Sequence, residues 1–157
     1  MNVNSSGWGR APERETLARI MRRFEKVTYE SLNPRQRESY NYQKISGVLA
    51  DYGFVTIRLS DDWKGADFLA QHHNGETLRV QLKGRLAFYQ KYQGKDLWVC
   101  FRDGADWYLY PHDELLDRVL KETNVKNTES WKQAGGYSFP SLSKQLRELL
   151  KPYHLPL

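Results

Sequence analysis

Residues Gly65 to Gly84 constrain this chain more than any other stretch. Two runs, Gly65-Ala66-Asp67-Phe68-Leu69-Ala70-Gln71 and Leu78-Arg79-Val80-Gln81-Leu82-Lys83-Gly84, flank His72-His73-Asn74-Gly75-Glu76. The Asn-Gly pair and its polar neighbours supply the turn chemistry of a hairpin. Successive side chains of a strand point to opposite faces, so Leu78, Val80 and Leu82 share one side while Arg79, Gln81 and Lys83 share the other. The Asp67 carboxylate at the head of the first strand then comes close to an amide and an ammonium on the second. Together such groups can hold a divalent cation and a phosphate.

The flanking sequence supplies a core for this hairpin. Leu17, Ile20, Met21, Phe24 and Val27 recur at helical spacing and predict an amphipathic helix over about 13–29, after a flexible lead at 1–12. Asn33-Pro34 punctuates the chain, and a second helix is expected from Pro34 or Arg35 to Tyr52, stopped by Gly53. Its inward stripe is Ile45, Val48, Leu49 and Tyr52; counting back from Ile45 places Asn41 and Glu38 on the same face. Phe54 to Leu59 alternates as a first strand, and residues 60–65 read as a loop entering Asp67. Residues 86–92 fit either a strand or a short helix. Leu97 to Phe101 is a buried strand, Asp106 to Tyr110 its hairpin partner, and Asp113 to Glu122 a helix. Residues 123–140 read as a long loop with a short turn near Trp131, and Ser141 or Ser143 caps a last helix through Leu150, closed by Pro152.

An acid at the start of one strand followed by Gln-x-Lys on the next (Asp67, then Gln81 and Lys83) resembles the signature of the PD-(D/E)XK nuclease superfamily. The order of elements over about residues 35–122 is also similar: a helix, a three-strand meander, and a return through a helix to further strands. Ala66 stands where the name-giving Pro would be, and Gln81 replaces the usual Glu or Asp; a Gln variant of the motif occurs in that superfamily. The resemblance implies an α/β, restriction-endonuclease-like αβββαβ core in one domain over 13–157, with a mixed central sheet flanked by helices and extra terminal helices. It implies an endonuclease that hydrolyses DNA with Mg²⁺ or Mn²⁺, in the manner of resolvase, restriction or homing enzymes.

The metal would be held by Asp67, the Gln81 side-chain oxygen and the Leu82 carbonyl. One negative charge fewer than in a two-acid site implies loose binding, completed by the substrate. Lys83 would orient the attacking water or neutralise phosphate charge. Glu38 takes the place of the first-helix acid of related nucleases, although an acid near a helix start also has a purely structural use. Asp67 with Lys83 could equally be a cross-strand ion pair, Gln81 an ordinary strand residue, and Asp61 and Asp62 turn acids.

Composition narrows the classes. One domain with a real core suits 157 residues. A net charge of +5 is compatible with a polyanion, DNA or RNA. Lys64, Arg79, Lys83, Arg85 and Lys91 are the candidate phosphate contacts near the motif, and a second basic group (Arg10, Arg14, Arg19, Arg22, Arg23, Lys26, Arg35, Arg37) fills the first 40 residues. The N-terminal residues lack the features of a signal peptide and no apolar run spans a bilayer, so a cytoplasmic protein without membrane partners is expected. The lone Cys100 supports no disulfide, zinc site or thiol nucleophile. Adjacent His72 and His73 point opposite ways and read as an exposed turn, while His112 and His154 show no partner. Cutting a duplex needs two sites, which makes a homodimer plausible on chemical grounds. Two other classes fit the same residues: a nucleic-acid-binding module of the same fold without catalysis, and a protein-interaction domain.

Overall fold

The computed structural model describes residues 11–22 and 24–156, with side chains from residue 15 onward except those of 23 and Asp62. By compactness the chain divides into two units, Met1–Arg37 and Glu38–Leu157.

In the first unit, helix α1 spans Ala11–Arg22. It starts inside the expected lead and ends well before the expected Tyr29. Residues beyond Phe24 include the β-branched pair Val27-Thr28, which loses side-chain freedom in a helix, and the chain turns again only in a 3₁₀ segment at Tyr29–Ser31. The expected apolar stripe is exposed, Leu17 at 60% and Phe24 at 75%. The next helix, α2, spans Pro34–Asp51. Its start is a capping box: the Asn33 side chain accepts from the Gln36 amide (2.9 Å), and the Gln36 side chain accepts from the Asn33 amide (2.9 Å). At its other end Gly53 takes φ 80°, the left-handed conformation that glycine adopts without penalty.

The second unit is α/β, a mixed six-stranded sheet flanked by helices. Strands β1 (Phe54–Trp63), β2 (Ala66–His72) and β3 (Thr77–Lys83) form an antiparallel meander. The chain then crosses to β5 (Leu97–Asp103), which lies parallel to β3, and turns back through β6 (Asp106–Pro111). The strand order is β1-β2-β3-β5-β6-β8, the last being the short strand His154–Leu155. Helix α3 (His112–Glu122) follows β6, and α4 (Glu129–Ala134) and α5 (Lys144–Leu150) complete that side.

Several boundaries differ from the expectations. The return from β3 to β5 contains no α-helix: residues 87–92 form a short strand, β4 (Ala87–Tyr89), and one 3₁₀ turn, Gln90–Tyr92. The expected loop at 123–140 instead holds α4, capped by Thr128, and β7 (Gly136–Ser138), which pairs with β4. The capping hydroxyl and the left-handed Gly135 (φ 68°) mark both ends of α4 in the sequence. After α5, capped by Ser143, the chain adds a short strand β8 (His154–Leu155) beside β6.

Two large apolar cores and one small one fix these layers. One face of the sheet packs Phe68, Ala70, Leu78, Val80, Cys100, Trp107 and Leu109 against Ile45 and Leu49 of α2, across the full width from Phe54 to Leu155. The opposite face packs Val99, Phe101, Tyr108 and Tyr110 under Phe88, Leu115, Leu116, Trp131 and Leu150, so the helical cover lies over β5 and β6, while a small third group, Ala66, Tyr92 and Leu97, packs at the β2–β3 side. Cys100 is fully buried, which raises its thiol pKa far above the usual range, as befits a small core residue. Among the described residues no helix is long and apolar enough to cross a membrane.

Candidate functional site

Asp67 lies where β2 is released from both neighbours. On the β1 side, Arg58 pairs with Phe68 and Trp63 with Ala66, so residues 59–62 face the single residue Asp67 across a bulge. On the β3 side, the paired register runs from Gln71↔Thr77 to Phe68↔Val80 and goes no further. The expected loop at 60–65 is thus mostly bulged strand, and the turn is only Lys64-Gly65, with φ of 56° and 91°. Positive φ at both turn residues matches the right-handed twist of the flanking strands. Bulges of this kind re-aim side chains and end pairing locally.

Where pairing with β2 stops, the Leu82 amide loses a ladder partner, and Asp67 Oδ2 accepts from it at 2.7 Å. The same oxygen accepts from Gln81 Nε2 at 2.5 Å. Gln81 is 8% exposed, and its Oε1 accepts from the Tyr92 hydroxyl at 3.2 Å, while Nε2 also lies 3.4 Å from the Leu82 carbonyl. Buried polar groups need such partners, because stranding one costs about 1–3 kcal/mol. The Lys83 ammonium sits 5.0 Å from the Tyr89 ring centroid and 5.4 Å from that of Tyr92. Asp67, Gln81 and Lys83 therefore share the sheet face that α3, α4 and α5 leave uncovered.

The tyrosines are placed by the crossover that the sequence left ambiguous. Tyr89 and Tyr92 pack edge to face at 5.4 Å. The Tyr89 amide donates to His112 Nε2 at 3.2 Å, which fixes the proton on Nδ1, and Nδ1–H donates to Asp113 Oδ1 at 2.7 Å. The other oxygen of Asp113 accepts from the Gly94 amide at 2.8 Å. Burial holds the His112 pKa below its ordinary value, outweighing the opposite pull of Asp113, so the ring is a neutral strut. Gln90 ties the same turn to the far side through Trp131 O (2.9 Å) and Gly135 O (2.8 Å). His112 and His154, expected to lack partners, both have one; His154 Nε2 lies 3.0 Å from Asp106.

The remaining candidates are dispersed. Glu38 is exposed and ion-paired with Arg58 at 2.7 Å. Arg58 sits opposite Phe68, whose side chain enters the α2 core, so Glu38 belongs to the face away from Asp67. Arg79 shares the face of Gln81 but is engaged by Asp96 at 2.9 Å. Lys64 occupies the exposed hairpin turn, Arg85 is exposed just after β3, and Lys91 is exposed in the 3₁₀ turn. The side chain of Asp62 lies outside the described residues. His72 and His73, expected to point opposite ways, instead bring their rings within 4.0 Å because the strand ends there and the chain turns, with the His72 ring also on Phe54 (4.8 Å), away from this cluster.

The donor set can be tested against a hard divalent cation. Among the described residues no group of three His, Cys, Asp or Glu side chains converges as a metal cage. What converges is one carboxylate, one amide and one backbone carbonyl, with the amide nitrogen aimed at the carboxylate. The two ends of a Gln amide have the same shape, and a phenol can donate or accept. A half-turn of Gln81 would keep its contact with Tyr92 and bring two oxygens together at Asp67, an arrangement that a cation between them stabilises. The residues fit Mg²⁺ or Mn²⁺ on that condition.

Tyr89, Tyr92, His112 and Asp113 escape a reading based on strand periodicity, although the Tyr-x-x-Tyr spacing, which puts both rings on one side of a 3₁₀ turn, was there to be read. No family model, curated protein or solved structure matches this chain.

Proposed function

We propose that this chain is a metal-dependent endonuclease that hydrolyses DNA phosphodiester bonds at the Asp67–Gln81–Lys83 cluster. The observation that carries this reading is the gathering of a carboxylate, an amide and an ammonium from two adjacent strands on the part of one sheet face that the helices do not cover. A Mg²⁺ or Mn²⁺ ion held by Asp67, the Gln81 amide oxygen and the Leu82 carbonyl would supply Lewis-acid neutralisation of the phosphate and a more acidic water. The protein's own groups divide the rest of the work. Asp67 contributes the negative charge. Lys83 rests on tyrosine faces, a loose hold worth about 0.5–1 kcal/mol at an exposed site, and can reach a phosphate oxygen as a point charge. Tyr92 keeps the Gln81 amide in place, and the His112–Asp113 strut keeps Tyr92 in place.

The test uses circular and linear DNA with Mg²⁺, Mn²⁺ or EDTA. Cleavage that requires metal and falls at least about a hundredfold in Asp67→Asn and Lys83→Ala is expected, the scale on which removal of one charge-stabilising group is felt. Absence of cutting at high protein concentration with either metal would sink the reading.

One observation favours a second reading, a nucleic-acid-binding module of the same fold without catalysis. The Gln81 amide donates directly to Asp67, so the cluster is satisfied without an ion. That reading expects salt-dependent DNA binding in EDTA, no cleavage, and undiminished binding by an Asp67→Asn variant.

A further inference from the structure

Lys91 reaches the same tyrosine pair as Lys83 from a different element. Its ammonium lies 5.7 Å from the Tyr89 centroid and 5.2 Å from that of Tyr92, against 5.0 and 5.4 Å for Lys83. Among the described side chains no carboxylate lies within ion-pair distance of either ammonium, whereas Arg58, Arg79, Arg118 and Arg147 each hold one. Two like charges over one aromatic pair repel, and cation–π attraction offsets this only in part. The pair is also held on a built support. Tyr92 is 4% exposed, the Tyr89 amide is fixed by His112, the Gly94 amide by Asp113, and β4 by its pairing with β7. A rigid platform that brings two cations together, with no carboxylate of the described side chains at ion-pair distance from either, is complementary to a bound anion.

We infer that Lys91 forms a second phosphate subsite beside Lys83, so that one nucleic-acid strand is held at two neighbouring phosphates across the Tyr89–Tyr92 platform. The inference rests on the nuclease reading and adds a substrate requirement to it: the strand must carry a phosphate adjacent to the one at Lys83. That neighbour is either an internal diester or a terminal monoester. Both present the same charged oxygens to an ammonium, and the monoester carries more charge.

The experiment measures binding in EDTA, apart from cleavage, by fluorescence anisotropy of a labelled DNA strand of about six nucleotides, near the lower end of single-strand site sizes. A series of strands each carries one neutral methylphosphonate, and each is made with and without a 5′-phosphate. In the unmodified protein, neutralising either of two adjacent phosphates is expected to weaken binding about three- to tenfold, the scale of one phosphate contact. Lys91→Ala should abolish sensitivity at one of these positions only and lower the salt slope by roughly 0.7, the single-strand value for one contact. Lys91→Arg should keep both sensitivities. Dependence on the 5′-phosphate assigns the subsite to a strand end, and dependence on an internal position assigns it to a diester. A Lys91→Ala protein with the unmodified pattern of sensitivities overturns the inference and leaves the nuclease reading standing. Failure of the unmodified protein to bind any strand at low salt overturns both.

Discussion

Neighbouring residues of β3 and β5 show how differently two halves of one sheet face can be used. The parallel register sets Gln81 beside Val99 and Lys83 beside Phe101. Val99 and Phe101 are sealed at 0% and 1% exposure under the helices, and the Tyr110 hydroxyl beside them finds the Ala87 carbonyl at 2.9 Å. One strand away the same face carries an amide, a carboxylate and an ammonium, and farther out Val55 and Ile57 of β1 stand 69% and 52% exposed. The strand geometry is the same on both sides of this line. What differs is the cover: α3, α4 and α5 fall over β5 and β6, and the crossover through β4 and its 3₁₀ turn forms the border. A polar cluster can persist on β2 and β3 because its cover among the described residues, the small Ala66–Tyr92–Leu97 group, brings a hydroxyl that donates to the buried Gln81.

Four measurements test this contrast. Phe101→Ala removes a ring that stacks on Tyr108 at 5.1 Å in the sealed half. It should cost about 3–5 kcal/mol in urea unfolding, the usual scale for a buried aromatic. A loss below about 1 kcal/mol would mean that half is not the stabilising core. Asp67→Ala strands the Leu82 amide and the Gln81 amide, for an expected loss of about 1–3 kcal/mol. Asp67→Asn retains an acceptor oxygen and should lose less, so equal losses would contradict the ladder-ending role of Asp67.

The border can be probed by pH. Because burial lowers the His112 pKa below 6.5, the unfolded chain takes up that proton first as the medium is acidified. Its contribution is fully present above pH 6.5 and declines as pH falls from there towards the folded-state pKa. Melting temperature followed from neutral to acidic pH should show this decline in the native protein and a flatter profile in His112→Gln. Parallel profiles would remove His112 from the border's support. The smallest effect belongs to the open half. Ile57→Ser should change stability by less than about 0.5 kcal/mol, as for a surface position, and a marked loss would show that β1 is covered in solution.

Much of the sheet was legible because period-2 alternation is a local signal. It separated Val80 from Gln81, and the continuous apolar run from Leu97 to Phe101 marked a buried strand. Helix α2 was legible from the Asn33-Pro34 break, its apolar stripe and Gly53, and its capping box was not read. The bulge opposite Asp67 was not, since residues 60–65 carry turn-forming types that suit a loop equally well. Glu38 shows the limit of a helical wheel. It does lie on the stripe of Asn41 and Ile45, but Arg58 on the adjoining strand engages it there. The pairing of β4 with β7 joins residues some fifty positions apart, and neither strand is long enough to announce itself.

The amino-acid order by itself determined which side chains share a strand face, because that follows from backbone geometry within a few residues. It therefore set Asp67, Gln81 and Lys83 as a group once the hairpin formed. Tertiary structure alone decided which half of that face stays open, which way the Gln81 amide points, and that Tyr89, Tyr92 and Lys91 stand beside it. Those outcomes depend on where α3, α4 and β7 pack and on hydrogen bonds from His112 and Asp113, contacts between segments far apart in the chain that no local pattern encodes.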